Sequence, residues 1–237
     1  MIIFPAIDLY EGRAVRLFKG NYDEMTVYSE NPSEIAEDFV RSGATHIHVV
    51  DLEGAKTGET LNINIISGIA KNHGLFTEVG GGIRSMEVID KYVSNGVIRV
   101  ILGTAAVTEK GFVEKAVSKY GDKIAIGVDI KDGYVAIRGW TEKSEIAAMD
   151  FCSRMQSIGV DNIICTDISR DGAMKGTNHE LYRELAQRFS LKVTASGGVS
   201  SIDDVKKLSE LGIYGAIIGK AYYTGAISLK EAIEVAK

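Results

Sequence analysis

The sequence predicts an α/β fold: a (β/α)8 TIM barrel built from two repeated half-barrels. Three observations predict it. Eight short, β-branched-rich runs alternate along the chain with eight longer amphipathic ones. The short runs are nearly continuous in apolar character, as strands are when both faces of a parallel sheet are covered. The second half of the chain also repeats landmarks of the first. Eight strands each followed by a helix favour closure into a barrel over an open doubly wound sheet.

In chain order the strand candidates are IIFPAID (2–8), HIHVVD (46–51), FTEVG (76–80) and IRVILG (98–103). IAIGVD (124–129), NIICTD (162–167), KVTASG (192–197) and YGAIIG (214–219) follow. Pro32-Ser33 opens the first helix candidate, with Ile35, Ala36, Phe39 and Val40 at helical spacing. Ser85 precedes MEVIDKYVSNG, where Met86, Ile89 and Val93 form an apolar stripe and Gly96 can end the helix. Ser201, Ile202, Val205, Leu208 and Gly212 take the same parts in IDDVKKLSELG. LNINIISGIAK, GFVEKAVSKY, SEIAAMDFCSRM, NHELYRELAQRF and SLKEAIEVAK complete the helical set.

A shift of 116 residues lays Asp51 on Asp167, Gly81 and Gly82 on Gly197 and Gly198, and Ser85 on Ser201. It also lays Gly96 on Gly212, Ile101 on Ile217, Gly103 on Gly219 and Ala105 on Ala221. FPAIDLYEGRAVR (4–16) is echoed by AIGVDIKDGYVAIR (125–138), at a shift of 121 for Asp8 and Asp129.

The 237 residues, 45% hydrophobic and 25% charged, fit one domain spanning 1–237, with no linker or low-complexity tract dividing it. A net charge of −5 gives no basic stripe for nucleic acid. The N-terminus has neither a basic n-region nor a cleavage site, and no apolar run reaches membrane-spanning length. Cys152 and Cys165 offer no disulfide framework or metal spacing. A cytoplasmic protein with reduced thiols, not bound to membrane, is expected.

In such barrels the active site lies at the C-terminal ends of the strands. Asp8 ends strand 1 and Asp129 ends strand 5, across the ring from each other. Two carboxylates there can flank one substrate as general acid and general base, or can cap the turns that follow; barrel and repeat favour catalysis. VGGGIRS (79–85) and SGGVSS (196–201) run from strand to helix, and LGTAA (102–106) and IGKAY (218–222) follow one unit later. Glycines let backbone N–H groups close on an anion. Two phosphate cradles follow, one at Gly81, Gly82 and Gly103, the other at Gly197, Gly198 and Gly219, with Arg84, Thr104 and Lys220 assisting. They imply a long substrate with a phosphate at each end. Trp140, the only tryptophan, can pack or stack on a flat ring. His48 and Thr166 can be core polar groups or site residues, and Asp51 and Asp167 can be structural. SRDGAMKG (169–176) and FKGNYDEMTVYSEN (18–31) read as polar lids or substrate contacts.

AIDLYEGRAVRLFKGNY, VVDLEGAKTG, EVGGGIRS, GTAA, GVDIKDGYVAIRGW, TDISRDGAMKGTN, ASGGVSS and IGKAYYTG occur in this order over essentially the whole chain. With them the sequence closely resembles the phosphoribosylformimino-5-aminoimidazole carboxamide ribotide isomerases of histidine biosynthesis. The resemblance implies an Amadori rearrangement of a bisphosphorylated aminoaldose to an aminoketose, without cofactor or metal. It implies Asp129 as the general acid at the ribose ring oxygen and Asp8 as the base at C2′. Arg16, His48, Trp140, Thr166 and Asp171 stand at motif positions that contact substrate or order the site. The expected partner is this small ribonucleotide alone, and the expected state a monomer. The sister cyclases of the pathway, also half-barrels, begin with Cys-Leu-Asp and carry a Lys where Arg16 stands here. Two other readings stand beside the isomerase: a catalytically silent phosphate-binding barrel, and a dual-substrate isomerase that also serves tryptophan biosynthesis.

Overall fold

The computed structural model of the chain describes residues 1–18 and 20–237, and of Phe18 the backbone alone. The strands are β1 (Ile2–Tyr10), β2 (Arg13–Phe18), β3 (Asn21–Ser29), β4 (His46–Asp51), β5 (Phe76–Gly80) and β6 (Arg99–Leu102). They continue as β7 (Ile124–Lys131), β8 (Tyr134–Ile137), β9 (Glu142–Ala147), β10 (Asn162–Asp167), β11 (Lys192–Ser196) and β12 (Gly215–Ile218). Parallel pairing runs β1-β4-β5-β6-β7-β10-β11-β12 and returns to β1, where Ile2 faces Gly215 in register. The eight-stranded parallel barrel is therefore closed, and closure removes the free edges an open sheet would expose.

Helices pack outside the ring, and their starts follow from local chemistry. Asn31 caps Pro32–Arg41, accepting from Ser33 N–H at 3.2 Å, and Pro32 needs no N–H in that first turn. Ser85 caps Met86–Ser94 and Ser201 caps Ile202–Glu210 with almost the same backbone, φ −145°, ψ 160° and φ −146°, ψ 161°. Ser201 adds a reciprocal capping box with Asp204. Glycine turns match as well: Gly103 has φ −101°, ψ −109° and Gly219 has φ −106°, ψ −102°. The sequence repeat is thus a repeat of backbone conformation.

The core has two layers. Phe39, Tyr92, Phe151 and Tyr182 are among the fully buried side chains between strands and helices. Inside the barrel a smaller cluster of Phe4, Ala6, Ile101, Ala125, Ile164 and Ile217 forms the floor of the mouth. Burying each large side chain contributes roughly 1.5–3 kcal/mol.

Two parts differ from the sequence reading. FKGNYDEMTVYSEN is not a loop throughout: Asn21–Ser29 is β3, paired antiparallel to β2, while Lys19 lies outside the described residues. The segment after strand 5 is likewise a hairpin, β8 and β9, so the helix expected from Ser144 begins at Ala148. The cause in both is a two-residue turn. Glu11-Gly12 has φ 49° and 76°, and Asp132-Gly133 has φ 52° and 82°. Two consecutive positive φ values make a turn whose twist suits a hairpin. Each half therefore extends its first barrel strand past the mouth and folds it back. No helix among the described residues is long and apolar enough to cross a membrane.

Candidate active site

The C-terminal ends of the barrel strands surround a cavity of about 820 Å³. Asp8, Arg16, His48, Asp129, Trp140, Thr166 and Asp171 line it. So do Gly81, Gly82, Arg84, Gly103 and Thr104 from one half, and Gly197, Gly198, Gly219 and Lys220 from the other. The ring order places β1 and β7 opposite, so Asp8 and Asp129 face each other across this space.

Their surroundings differ. Asp8 is 8% exposed and pairs with Arg16, Nη1 to Oδ1 at 2.9 Å. Burial pushes its carboxyl above the ordinary range, and the nearby Asp171 adds to this, while Arg16 and His48 oppose it. The Arg16 guanidinium in turn lies against Gly219, where a Cβ would come within 2.6 Å of it. Gly219 is thus the space that lets an arginine reach from the Asp8 hairpin to the cradle beside the neighbouring strand β12. Asp129 is partly open to the cavity. Burial among the strands raises its pKa too, against hydrogen bonding from Trp140 and Thr166; Asp171 raises it and His48 lowers it. Thr166 is the register partner of Asp129 on the adjacent strand.

The glycine turns are dictated by close approach. Gly81 (φ 111°) and Gly82 (φ 69°) leave no room for a side chain: a Cβ would lie 2.1 Å from Asp51 O and 1.8 Å from Gly54 O, respectively. Gly197 and Gly198 repeat this against Asp167 O at 2.7 Å and Gly176 O at 2.5 Å. Asp51 and Asp167 are structural within the described contacts. Asp51 accepts from Gly54 N–H, Asn62 Nδ2 and Tyr92 Oη at 2.8–3.0 Å. Asp167 accepts from Ser169 and from Asn178 Nδ2. They fix the loops under the cradles.

The residues expected to assist at the cradles each hold a contact within the protein. Arg84 Nη2 donates to Ala55 O at 2.9 Å, and Lys220 Nζ donates to Gly172 O at 2.9 Å. Thr104 Oγ1 accepts from Arg138 N–H at 2.9 Å. All remain on the cavity wall. Trp140 sits in the β8–β9 turn with φ 71°, and its ring reaches Gly20, where a Cβ would lie 3.0 Å from it. The two hairpins thus touch over the mouth. The polar composition around Gly20 was legible in the sequence; its contact with Trp140 was not.

Tyr22 and Met174, from the two segments read as lids or substrate contacts, line the cavity, and so do Lys56 and Arg138, which the sequence did not single out as site residues. Nor did it single out Glu78, which is wholly buried next to His48. A charged residue inside the apolar run FTEVG was the available signal.

Comparisons with known proteins agree with this geometry. The family described as histidine biosynthesis protein matches residues 2–228. A protein of Clostridium botulinum is 51% identical over 235 residues, covering 99% of this chain and 97% of its own length. Relatives from Oceanobacillus iheyensis and Acetivibrio thermocellus are 49% and 48% identical, covering 99% and 100% of this chain and 98% and 100% of their own. Each of the three is named a 1-(5-phosphoribosyl)-5-((5-phosphoribosylamino)methylideneamino) imidazole-4-carboxamide isomerase. With its closed barrel, its duplicated glycine turns and full-length identity to these enzymes, the chain belongs to the histidine biosynthesis protein family and to its isomerase group.

Proposed function

We propose that the chain is an intramolecular aldose–ketose isomerase of histidine biosynthesis, converting a bisphosphorylated aminoaldose ribonucleotide into its aminoketose by an Amadori rearrangement. The observation that carries this reading is the pair of carboxylates facing each other across one cavity, between two glycine cradles. Each cradle takes one terminal phosphate. The reactive sugar then lies between Asp8 and Asp129.

Asp129 acts as general acid. It protonates the ribose ring oxygen as the C1′–O bond breaks, and the lone pair of the exocyclic nitrogen closes an iminium at C1′. Asp8 acts as base. It removes the C2′ proton, and the C–H electrons form the C1′=C2′ bond of an enolamine while the iminium nitrogen recovers its lone pair. Proton transfer from the enol oxygen to C1′ completes the ketose. Atoms and electrons balance without redox change, so the chemistry requires neither cofactor nor metal.

The site suits this division. Burial and Asp171 favour the protonated form that Asp129 needs. Burial and Asp171 raise Asp8 as well; what sets it apart is the paired Arg16, which opposes that rise in part and favours the charged form a base needs. Trp140 stands where it can cover a planar group. The enzyme needs no partner beyond its small substrate, and we place it in the cytoplasm as a monomer, one domain over 1–237; the net charge of −5 opposes nucleic acid.

Turnover of the two-phosphate aminoaldose by the purified protein tests the reading, with Asp8→Asn and Asp129→Asn beside it. Turnover lost in both variants supports it. Tight binding of the aminoaldose with no turnover by the unaltered protein overturns it.

A further inference from the structure

His48, Glu78 and Arg99 stand on three consecutive barrel strands as mutual register partners, His48 opposite Glu78 and Glu78 opposite Arg99. They form one rung of the barrel interior. His48 Nδ1 lies 2.8 Å from Glu78 Oε1, and Arg99 Nη1 donates to Glu78 Oε2 at 3.3 Å. Glu78 is 0% exposed and Arg99 5%, so this charge pair is deep inside the protein. The Arg99 guanidinium lies over the Phe76 ring at 4.8 Å and the Tyr214 ring at 5.9 Å. His48 alone of the three reaches the cavity wall. It also lies within electrostatic reach of both Asp8 and Asp129.

A buried charge pair costs desolvation, and well-packed apolar residues commonly serve stability as well or better. The second half of the barrel has an uncharged rung instead. Its equivalent rung is Ile164, Thr194 and Gly215, in the same register. The charged rung is therefore not required by the architecture. A carboxylate accepts hydrogen bonds and cannot donate them, so the hydrogen of the 2.8 Å contact sits on His48 Nδ1. The other ring nitrogen, Nε2, is left for the cavity; in the Nδ1–H form of the ring it is the acceptor. Arg99 holds the second oxygen of Glu78 and so keeps the carboxylate turned toward the ring.

We propose that Glu78, backed by Arg99, is a positioning residue of the reaction: it fixes His48 as the Nδ1–H tautomer, so that Nε2 accepts a hydroxyl hydrogen of the opened sugar between Asp8 and Asp129. Glu78 touches no substrate and acts only through His48. This role rests on the isomerase reading for the identity of the sugar; the tautomer itself does not.

Glu78→Gln tests the device with little change of shape. Arg99 offers only donors, so the single amide oxygen of the glutamine turns to Arg99 and its NH2 faces Nδ1. The tautomer inverts, and Nε2 becomes a donor. Nitrogen-15 NMR of the protein's four histidines reads this directly: Nδ1–H at His48 in the unaltered protein, Nε2–H in E78Q. Turnover of the aminoaldose should fall on the order of 10–100-fold in kcat, the loss seen when a carboxylate that orients a metal-bound histidine is removed, with KM nearly unchanged. In a His48→Ala background, E78Q should cost little more. A partner E78M/R99M variant buries no charge and so folds independently of the Arg99 charge; it should lose kcat like E78Q with its melting temperature held or raised.

Nε2–H at His48 in the unaltered protein overturns the inference, whether or not the protein turns the aminoaldose over. So does unchanged kcat in E78M/R99M, which would leave Glu78 as no more than the counter-charge of Arg99. The same loss from E78Q with and without His48 also overturns it. Absence of turnover in the unaltered protein defeats the isomerase reading instead.

Discussion

The two halves of the barrel share a skeleton and differ in charge. Ser85 and Ser201 cap their helices with the same dihedrals, and Gly103 and Gly219 bend alike. The Asp51 and Asp167 carboxylates each take an asparagine Nδ2, from Asn62 and Asn178. At one rung of the barrel interior the resemblance stops. One half holds His48, Glu78 and Arg99 in a rung; the other holds Ile164, Thr194 and Gly215. Asp8 is matched with an arginine, whereas Asp129 is matched with Trp140 and Thr166. Symmetry was kept where backbone geometry is at stake, and dropped among the side chains around the two facing carboxylates.

The largest expected effect breaks the comparison at the carboxylates. Asp8→Asn and Asp129→Asn should each reduce turnover by about 10²–10⁴-fold, the usual worth of one positioned acid or base. Stability should move the other way. Both folded-state pKa values are raised, mainly by burial. A raised carboxyl contributes stability in acid, and that contribution is lost as pH climbs through the folded-state value. Each Asn variant should therefore gain on the parent in urea unfolding at neutral pH. The gain should vanish as pH falls below the ordinary aspartate value of 3.8. A variant that loses turnover and stability alike at pH 7 would deny this.

Next come the glycine turns. Gly82→Ala and Gly198→Ala both force a side chain onto positive φ, which costs about 1–2 kcal/mol before any clash. The Cβ of the first would lie 1.8 Å from a backbone oxygen, and that of the second 2.5 Å. Gly82→Ala should be the more destabilising by chemical denaturation. Equal losses would mean that the two cradles relax alike.

The smallest effect separates the caps. Ser201→Ala and Ser85→Ala should each cost about 0.5–2 kcal/mol, Ser201 the more because its hydroxyl also donates to the Asp204 carboxylate at 3.0 Å. Burial opposes the charge on Asp204, but hydrogen bonds from Ser200, Ser201 and Thr177 outweigh it, and its pKa is lowered. A lowered carboxyl contributes stability above the unfolded-state value and loses it as pH falls through the folded-state one. Asp204→Asn should thus destabilise at neutral pH and converge with the parent in acid, as melting curves over pH would record. A difference independent of pH would assign Asp204 a packing role instead.

Much of the fold was legible because its signals are local. The eight strands fall within a few residues of their apolar runs, and Ser85, Ser201 and Pro32 mark helix starts where the sequence places them. The hairpins were missed although Asp132-Gly133 is itself a turn signal: β3 reads as polar because most of it stands out over the mouth, half-buried at best. Asp8, Asp129 and the glycine cradles could be ranked from strand ends alone. The tethering of Arg84 and Lys220 could not, since each donates to a carbonyl far along the chain.

By itself the sequence determined the eight barrel strands and the main helices between them, where turns need glycine, and that a half-barrel is repeated. These follow from propensity, periodicity and φ, which act over a few residues. The tertiary structure alone decided that His48, Glu78 and Arg99 meet in one rung, that Arg16 bridges Asp8 to Gly219, and that Trp140 reaches Gly20. Those contacts depend on strand register and ring closure. A one-residue slip would turn each side chain to the opposite face of the sheet, and no local signal encodes the difference.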